Sequence, residues 1–162
     1  MDFKTLLPDF EAIKKTDWAK PQFKADTKDT MGLVMYGGAA LMVIFTFLSW
    51  CTYSAHGVSV GVLGITTWYG ILAFLCAALA LAGVLYKHTT LTFCAAVLGV
   101  IFAICGMVML PAFTYNGVTV SSDVAKTAVE AGKYSVSHLG AILYLVASLA
   151  AAAAAYLKVT KK

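Results

Sequence analysis

Four long apolar stretches, separated by short polar ones, divide this chain: Gly32 to Trp50, Trp68 to Tyr86, Leu91 to Leu110 and His138 to Leu157. A bilayer core about 30 Å thick needs roughly 20 apolar residues in a helix. Within it no water is available to satisfy an open backbone, so a spanning segment must be helical. The pattern predicts four transmembrane helices, at about 32–50, 68–86, 91–110 and 138–157. Trp50, Tyr53, Trp68, Tyr69, Tyr86, Tyr115, Tyr134 and Tyr156 stand near their ends and read as interfacial anchors. Pro111 falls where the third helix must stop.

The connections differ in kind. Spans two and three are joined only by Lys87 to Thr90, whereas the loops 51–67 and 111–137 are long enough for structure of their own. In the second loop Asn116-Gly117 stands between Phe-Thr-Tyr and Val-Thr-Val, a strong hairpin signal because both turn residues take positive φ. The first loop carries the weaker His56-Gly57 between Thr-Tyr-Ser-Ala and Val-Ser-Val. Isolated hairpins are marginal. Edge-to-edge pairing of the two into one antiparallel sheet above the bundle is therefore expected, which also removes exposed edges. After the second hairpin, Ser122-Asp123 opens a helix-forming run that ends at Gly132. Val124, Ala128 and Val129 are placed to face the sheet. The corresponding Gly61–Thr67 stretch of the first loop is too glycine-rich to predict a helix.

The pattern occurs twice. Leu48, Thr52, Tyr53, Gly57, Val58 and Val60 recur as Leu110, Thr114, Tyr115, Gly117, Val118 and Val120. Gly70, Leu75, Ala77, Leu79, Ala80, Ala82 and Tyr86 recur 70 positions later as Gly140, Leu145, Ala147, Leu149, Ala150, Ala152 and Tyr156. The fold class that follows is an all-α integral membrane protein. It is a four-helix bundle of two tandem helical hairpins, carrying a small extracytoplasmic antiparallel sheet made by the two outer loops.

Residues 1–30 form a tail of mixed charge in which Phe3, Leu7 and Phe10 share helical spacing, with Pro8 near the helix start and Trp18 following. Two readings stand. The tail is an amphipathic segment lying on the inner membrane surface, or it is a docking helix for a partner protein. Residues 158–162 form a second short cytoplasmic tail.

Composition agrees with the pattern: 60% of residues are hydrophobic and 12% charged, against roughly 25% charged in a soluble domain. No charge lies between Asp29 and Lys87, between Lys87 and Asp123, or between Lys133 and Lys158. Lysines crowd the first tail, the Lys87 turn and the last residues, while the outer loops hold only Lys126 and Lys133, offset by Asp123 and Glu130. The positive-inside rule then places both termini in the cytoplasm of a multi-pass plasma (inner) membrane protein. The first apolar run begins after about thirty residues and has no small-residue cleavage site close behind it, so a cleaved signal peptide is not expected. The net charge of +4 is explained by orientation rather than by nucleic acid, and the absence of arginine removes the bidentate phosphate clamp.

Candidate chemistry is sparse. His56, His138, Cys51 and Asp123 share the outer side without metal-type spacing. Ser122, Asp123 and His138 do not make a triad when the first two serve as a helix cap. No span carries Asp, Glu, Lys or Arg, which argues against an ion pathway. No catalytic, cofactor or metal residue is assigned. Small residues supply the remaining pattern: Ala95, Gly99 and Ala103 on the third helix, Ser148, Ala151, Ala152 and Ala155 on the fourth. They allow close helix packing, within the bundle or, through Ala150–Ala155, against another membrane protein.

Four spans with an outer sheet above them resemble the claudin-type layout, and also small bacterial four-span membrane proteins of unassigned role. The stretches that carry the likeness are Leu48-Ser49-Trp50 and Leu110-Pro111-Ala112, within residues 31–157. The claudin Gly-Leu-Trp and cysteine pair are absent, Trp68 following Thr66-Thr67, so paracellular sealing is not carried over. What the resemblance implies is a membrane scaffold with an outer recognition surface. The expected function is a non-enzymatic scaffold or accessory subunit that contacts lipids and another membrane or membrane-associated protein. The contacts are expected through Tyr53, His56, Tyr115 and Asn116 outside, or Phe3, Leu7, Phe10 and Trp18 inside. The alternative is a small transporter or channel component for a lipid or other uncharged hydrophobic substrate. A packed bundle interior favours the scaffold, and a continuous cavity favours transport.

Overall fold

The structure is a computed structural model that describes residues 7–18, 20–22 and 28–160. Its described elements, in order, are α1 (Phe10–Lys14), α2 (Thr30–Thr46), β1 (Ser49–Ala55), β2 (Val58–Leu63), a single 3-10 turn (Gly64–Thr66) and α3 (Trp68–Leu85). Then follow α4 (Thr89–Val108), β3 (Phe113–Tyr115), β4 (Val118–Val120), α5 (Ser122–Glu130), β5 (Ser135–Ser137) and α6 (Leu139–Thr160). The helices α3, α4 and α6 are long and apolar enough to cross a membrane; α2 is equally apolar and has 17 residues. Phe3 lies outside the described residues.

The four long helices pack in a ring, α2 against α3, α3 against α4, α4 against α6 and α6 back against α2. Their faces are sorted by size. Ala39, Ala73, Ala77, Ala80, Ala96, Ala103, Ala151 and Ala155 are buried, while Leu75, Leu79, Ile101, Ile104, Val146 and Leu149 are exposed. A soluble bundle places its large side chains inside. Here small residues bring the backbones together and large ones face outward, as in helices surrounded by lipid. Ala95, Gly99, Ala103, Ser148 and Ala152 all turn inward, so the alanine stripe of α6 packs the bundle.

The first helix ends earlier than expected, at Thr46 instead of near Trp50, and the strand-forming run Ser-Trp-Cys-Thr-Tyr takes over at Ser49. The register shifts between Ser49, opposite Leu63, and Cys51, opposite Val62, which leaves Trp50 as a β-bulge. A bulge breaks the in–out alternation of a strand. Consecutive residues Trp50 and Cys51 are therefore both fully buried. Trp50 is thus no interfacial anchor. Its ring enters the bundle, 5.1 Å from Tyr144 and 6.2 Å from Tyr69, and its Nε1 donates to Phe45 O at 2.9 Å.

Both hairpins use the expected turns, with positive φ at His56 and Gly57 and at Asn116 and Gly117. They do not pair with each other. The first hairpin takes its third strand from β5, giving the order β2-β1-β5, and β3-β4 stays a separate two-stranded sheet. Measured from the turns, Tyr53 opposite Val60 corresponds to Phe113 opposite Val120, and Tyr115 corresponds to Ala55. The sequence match of Tyr53 with Tyr115 is thus displaced by two positions, because conserved turn geometry overrides a shared tyrosine. Ser54–Ser59 and Thr114–Thr119 hydroxyl pairs, at 2.8 and 3.1 Å, occupy the same place in each hairpin.

α5 packs into the cap beside Cys51, Tyr53 and Phe113. Its N-cap is Ser121, one residue earlier than expected, with Oγ accepting from Val124 N at 3.5 Å, and Gly132 ends it at positive φ. The face turned inward is Ala125, with Val129 beside it; Val124 is exposed.

Candidate functional site

Two surfaces and one cleft carry what chemistry the fold offers. The cap has a core of its own, in which Tyr53 stacks on Phe113 at 4.4 Å and Tyr134 meets both edge-on. Tyr53 Oη donates to Pro111 O at 2.7 Å, tying the first loop to the exit of α4. Burial raises the Tyr53 phenol and the Cys51 thiol above their ordinary pKa values, so both stay protonated and the thiol stays unreactive. Tyr53 is thus a core residue, offering 1% of its surface, while Tyr115, Asn116 and His56 stand exposed at the two hairpin tips. His138 is held by the fold: its Nδ1 lies 3.2 Å from Trp50 O. Among the described residues, no three His, Cys, Asp or Glu side chains gather at one point.

The opposite end holds the tail. Pro8 stands just before the start of α1, and Asp9 caps it, its carboxylate accepting from Glu11 N and Ala12 N at 3.1 Å. The helix is only five residues long and starts at Phe10, so Leu7 lies ahead of it and the expected helical spacing of the two is not formed; Leu7 is 63% and Phe10 68% exposed. Behind it the chain is clasped to the turn between α3 and α4. Trp18 packs edge-on against Tyr86 at 4.6 Å, Tyr86 Oη donates to Trp18 O, and Gln22 N donates to Leu85 O at 2.9 Å. Thr16 Oγ1 lies 2.7 Å from His88 Nε2 and also donates to Ala12 O at 2.9 Å. The exposed pair Leu7 and Phe10 is therefore carried on a tethered segment.

A second tie closes the same end. Asp29 caps α2, accepting from Gly32 N at 2.9 Å, and pairs with Lys158 of α6. The hydrogen bond from Lys158 holds the Asp29 carboxyl below its usual value. On the helix flanks, an entirely apolar groove of about 440 Å³ runs between α2 and α6 past Gly37, Leu41 and Val146.

At the cap end a larger cleft, about 770 Å³, opens between the start of α3, the exit of α4 and the first turns of α5. Sequence reading missed it, and took Tyr69 of its wall for an interfacial anchor although the residue is buried. Its walls come from three separate segments, and no local pattern joins them.

Compared with known proteins, the chain matches no family model, no curated protein and no solved structure.

Proposed function

We propose that this protein is a non-enzymatic four-span membrane scaffold or accessory subunit built from two tandem helical hairpins. The cap lies outside and both termini lie on the cytoplasmic side of the plasma (inner) membrane. The observation that carries the reading is the filled interior of the bundle. Met42, Trp50 and Tyr144 are fully buried within it, and Tyr144 Oη donates to Ala73 O at 2.7 Å across the helix interface. Two openings, the cap-end cleft and the α2–α6 groove, lie at helix ends and on a helix flank. A filled interior supports a scaffold over a carrier, because alternating access turns on a substrate site near the bilayer midplane. Lysine distribution supports the orientation. The claudin-type likeness enters as layout alone.

Partner contact is assigned to the tethered tail, where Leu7 ahead of α1 and Phe10 at its first position are exposed, and to the exposed hairpin tips Tyr115-Asn116 and His56. Burying an exposed Leu or Phe on docking contributes roughly 1.5–3 kcal/mol each, before the ordering cost is subtracted. The test is gentle detergent purification followed by mass spectrometry of co-purifying proteins, with wild type and the Leu7→Ser, Phe10→Ser double variant. Loss of a partner from a variant that still inserts supports the docking helix. Retention of every partner, with only membrane-surface protection lost, makes the tail a lipid anchor. Flux of a hydrophobic substrate across proteoliposomes would overturn the scaffold and support a transporter.

A further inference from the structure

The clasp of the tail brings lysines together from distant parts of the chain. Thr16 meets His88, Trp18 meets Tyr86, and Gln22 N donates to Leu85 O, so these tail residues lie along the turn between α3 and α4. Both helices are long and apolar enough to cross a membrane, which sets the turn at a membrane surface in the placement proposed above. Lys15 and Lys20 belong to the tail and Lys87 to the turn, and all three are exposed. The ion pairs among the described residues are Lys14–Glu11 and Lys158–Asp29, so Lys15, Lys20 and Lys87 have no acidic partner among them. From Lys15 to Lys20 and from Tyr86 to His88 the acidic residue is Asp17, and the sum stays positive.

Two further observations single out this surface. Lys87 holds a φ of +60°, the left-handed conformation that glycine usually takes just past a helix end. A long charged side chain kept there against its conformational cost implies a use for it. Trp18 is tied to Tyr86 by ring and by carbonyl, yet it remains 46% exposed. Tryptophan and tyrosine favour the headgroup level of a bilayer, and lysines beside them reach the phosphates. A free phosphate would use the lysines and leave the indole in water. A lipid surface uses both.

We propose that the clasp binds anionic phospholipids, with Lys15, Lys20 and Lys87 on the headgroup phosphates and Trp18 at the boundary between headgroup and acyl chain. Lysine presents a point charge and lacks the planar fork of arginine, so the selection is for net negative charge and not for one headgroup. Orientation by lysine weighs every lysine alike. The clasp instead selects three, and leaves out Lys14 and Lys158, whose charges are already paired. The inference deepens the reading of the tail: the segment behind α1 is held on lipid, while Leu7 and Phe10 stay open to a protein. It rests on the membrane placement proposed above.

The test uses the full chain in detergent micelles, titrated with phosphatidylglycerol or phosphatidylcholine of the same acyl chains and read by native mass spectrometry. Phosphatidylglycerol should be retained in preference. Lys15→Gln, Lys20→Gln and Lys87→Gln should each lower the preference by about fivefold, the value of one lysine near an anionic surface. Lys14→Gln should leave it unchanged. Trp18→Ala opens the clasp and parts the tail lysines from Lys87, so it should lower the preference although no charge is lost. All five side chains are exposed, so the fold is kept, and circular dichroism verifies it. Equal retention of the two lipids, or a loss in Lys14→Gln as large as in the other lysine variants, means diffuse positive charge and overturns the proposal. A preference untouched by Trp18→Ala overturns the part given to the clasp. Displacement of phosphatidylglycerol by inorganic phosphate at equal concentration overturns the lipid source. Insertion is read separately, by resistance of the protein to alkaline extraction from membranes, so the proposal and the placement it rests on can fail apart.

Discussion

At the scale of single residues, Trp50 joins the two halves of the structure. The bulge turns it from the cap into the bundle, and neighbouring backbones must be bare to receive it. A Cβ on Gly106 would stand 2.6 Å from the Trp50 ring. Gly106→Ala is therefore expected to destabilise by about 1–3 kcal/mol, the usual cost of overfilling a packed core, seen as a lower melting temperature in detergent. Gly117→Val acts differently. There is open space around Gly117, but its φ is +79°, so the cost is conformational, of order 1–3 kcal/mol. It should increase proteolysis within β3–β4 and leave the bundle melt unchanged. Only part of this could be read from the chain. The glycines at the turns declare themselves through Asn-Gly and His-Gly, whereas Trp50 at the end of an apolar run looks like any interfacial tryptophan. A bulge is invisible to periodicity.

At the scale of elements, the long helices and the hairpins were legible because each is set by local sequence: apolar length for one, turn residues for the other. The third strand of the sheet was not. Ser135–Ser137 has no strand signature of its own, and it pairs only because Thr52–Ser54 lies beside it. The clasp of the tail was hidden for the same reason, since Trp18 and Tyr86 are far apart in sequence. Two outcomes follow. Trp18→Ala removes the ring contact with Tyr86 and should make residues 16–22 more susceptible to limited proteolysis, with the helices intact. The Asp29 tie depends on pH. Its folded-state pKa is depressed, so the stability it contributes is present above the unfolded value of 3.8 and lost as pH falls below it. Wild type should lose thermal stability between pH 5 and pH 3, and Asp29→Asn, already lacking the ion pair, should lose less over that interval.

At the scale of the whole molecule, the described helices place both hairpin tips at one end and the tail clasp at the other. Orientation in the membrane is the expectation drawn from lysine. In a background with Cys51, Cys76, Cys94 and Cys105 replaced by Ala, a membrane-impermeant thiol reagent applied to intact cells should label Asn116→Cys and spare His88→Cys. The reverse would invert the topology and move the cleft to the inner leaflet. The sequence showed where the helices lie and how their ends turn. It could not show the cleft, because Thr66–Tyr69, Val108–Ala112 and Ser122–Lys126 become neighbours only after the ring of helices has closed.

The central strand has a consequence for how the protein is made. β1 is hydrogen-bonded on one side to β2, which follows it at once, and on the other to β5, more than eighty residues later. During synthesis that second edge stays open until Ser135–Ser137 has emerged. Since β5 runs into α6 after a single residue, sealing the edge and seating the final helix are one event. A chain cut short before residue 135 would keep a bare strand edge outside the lipid, ready to pair with whatever strand it meets.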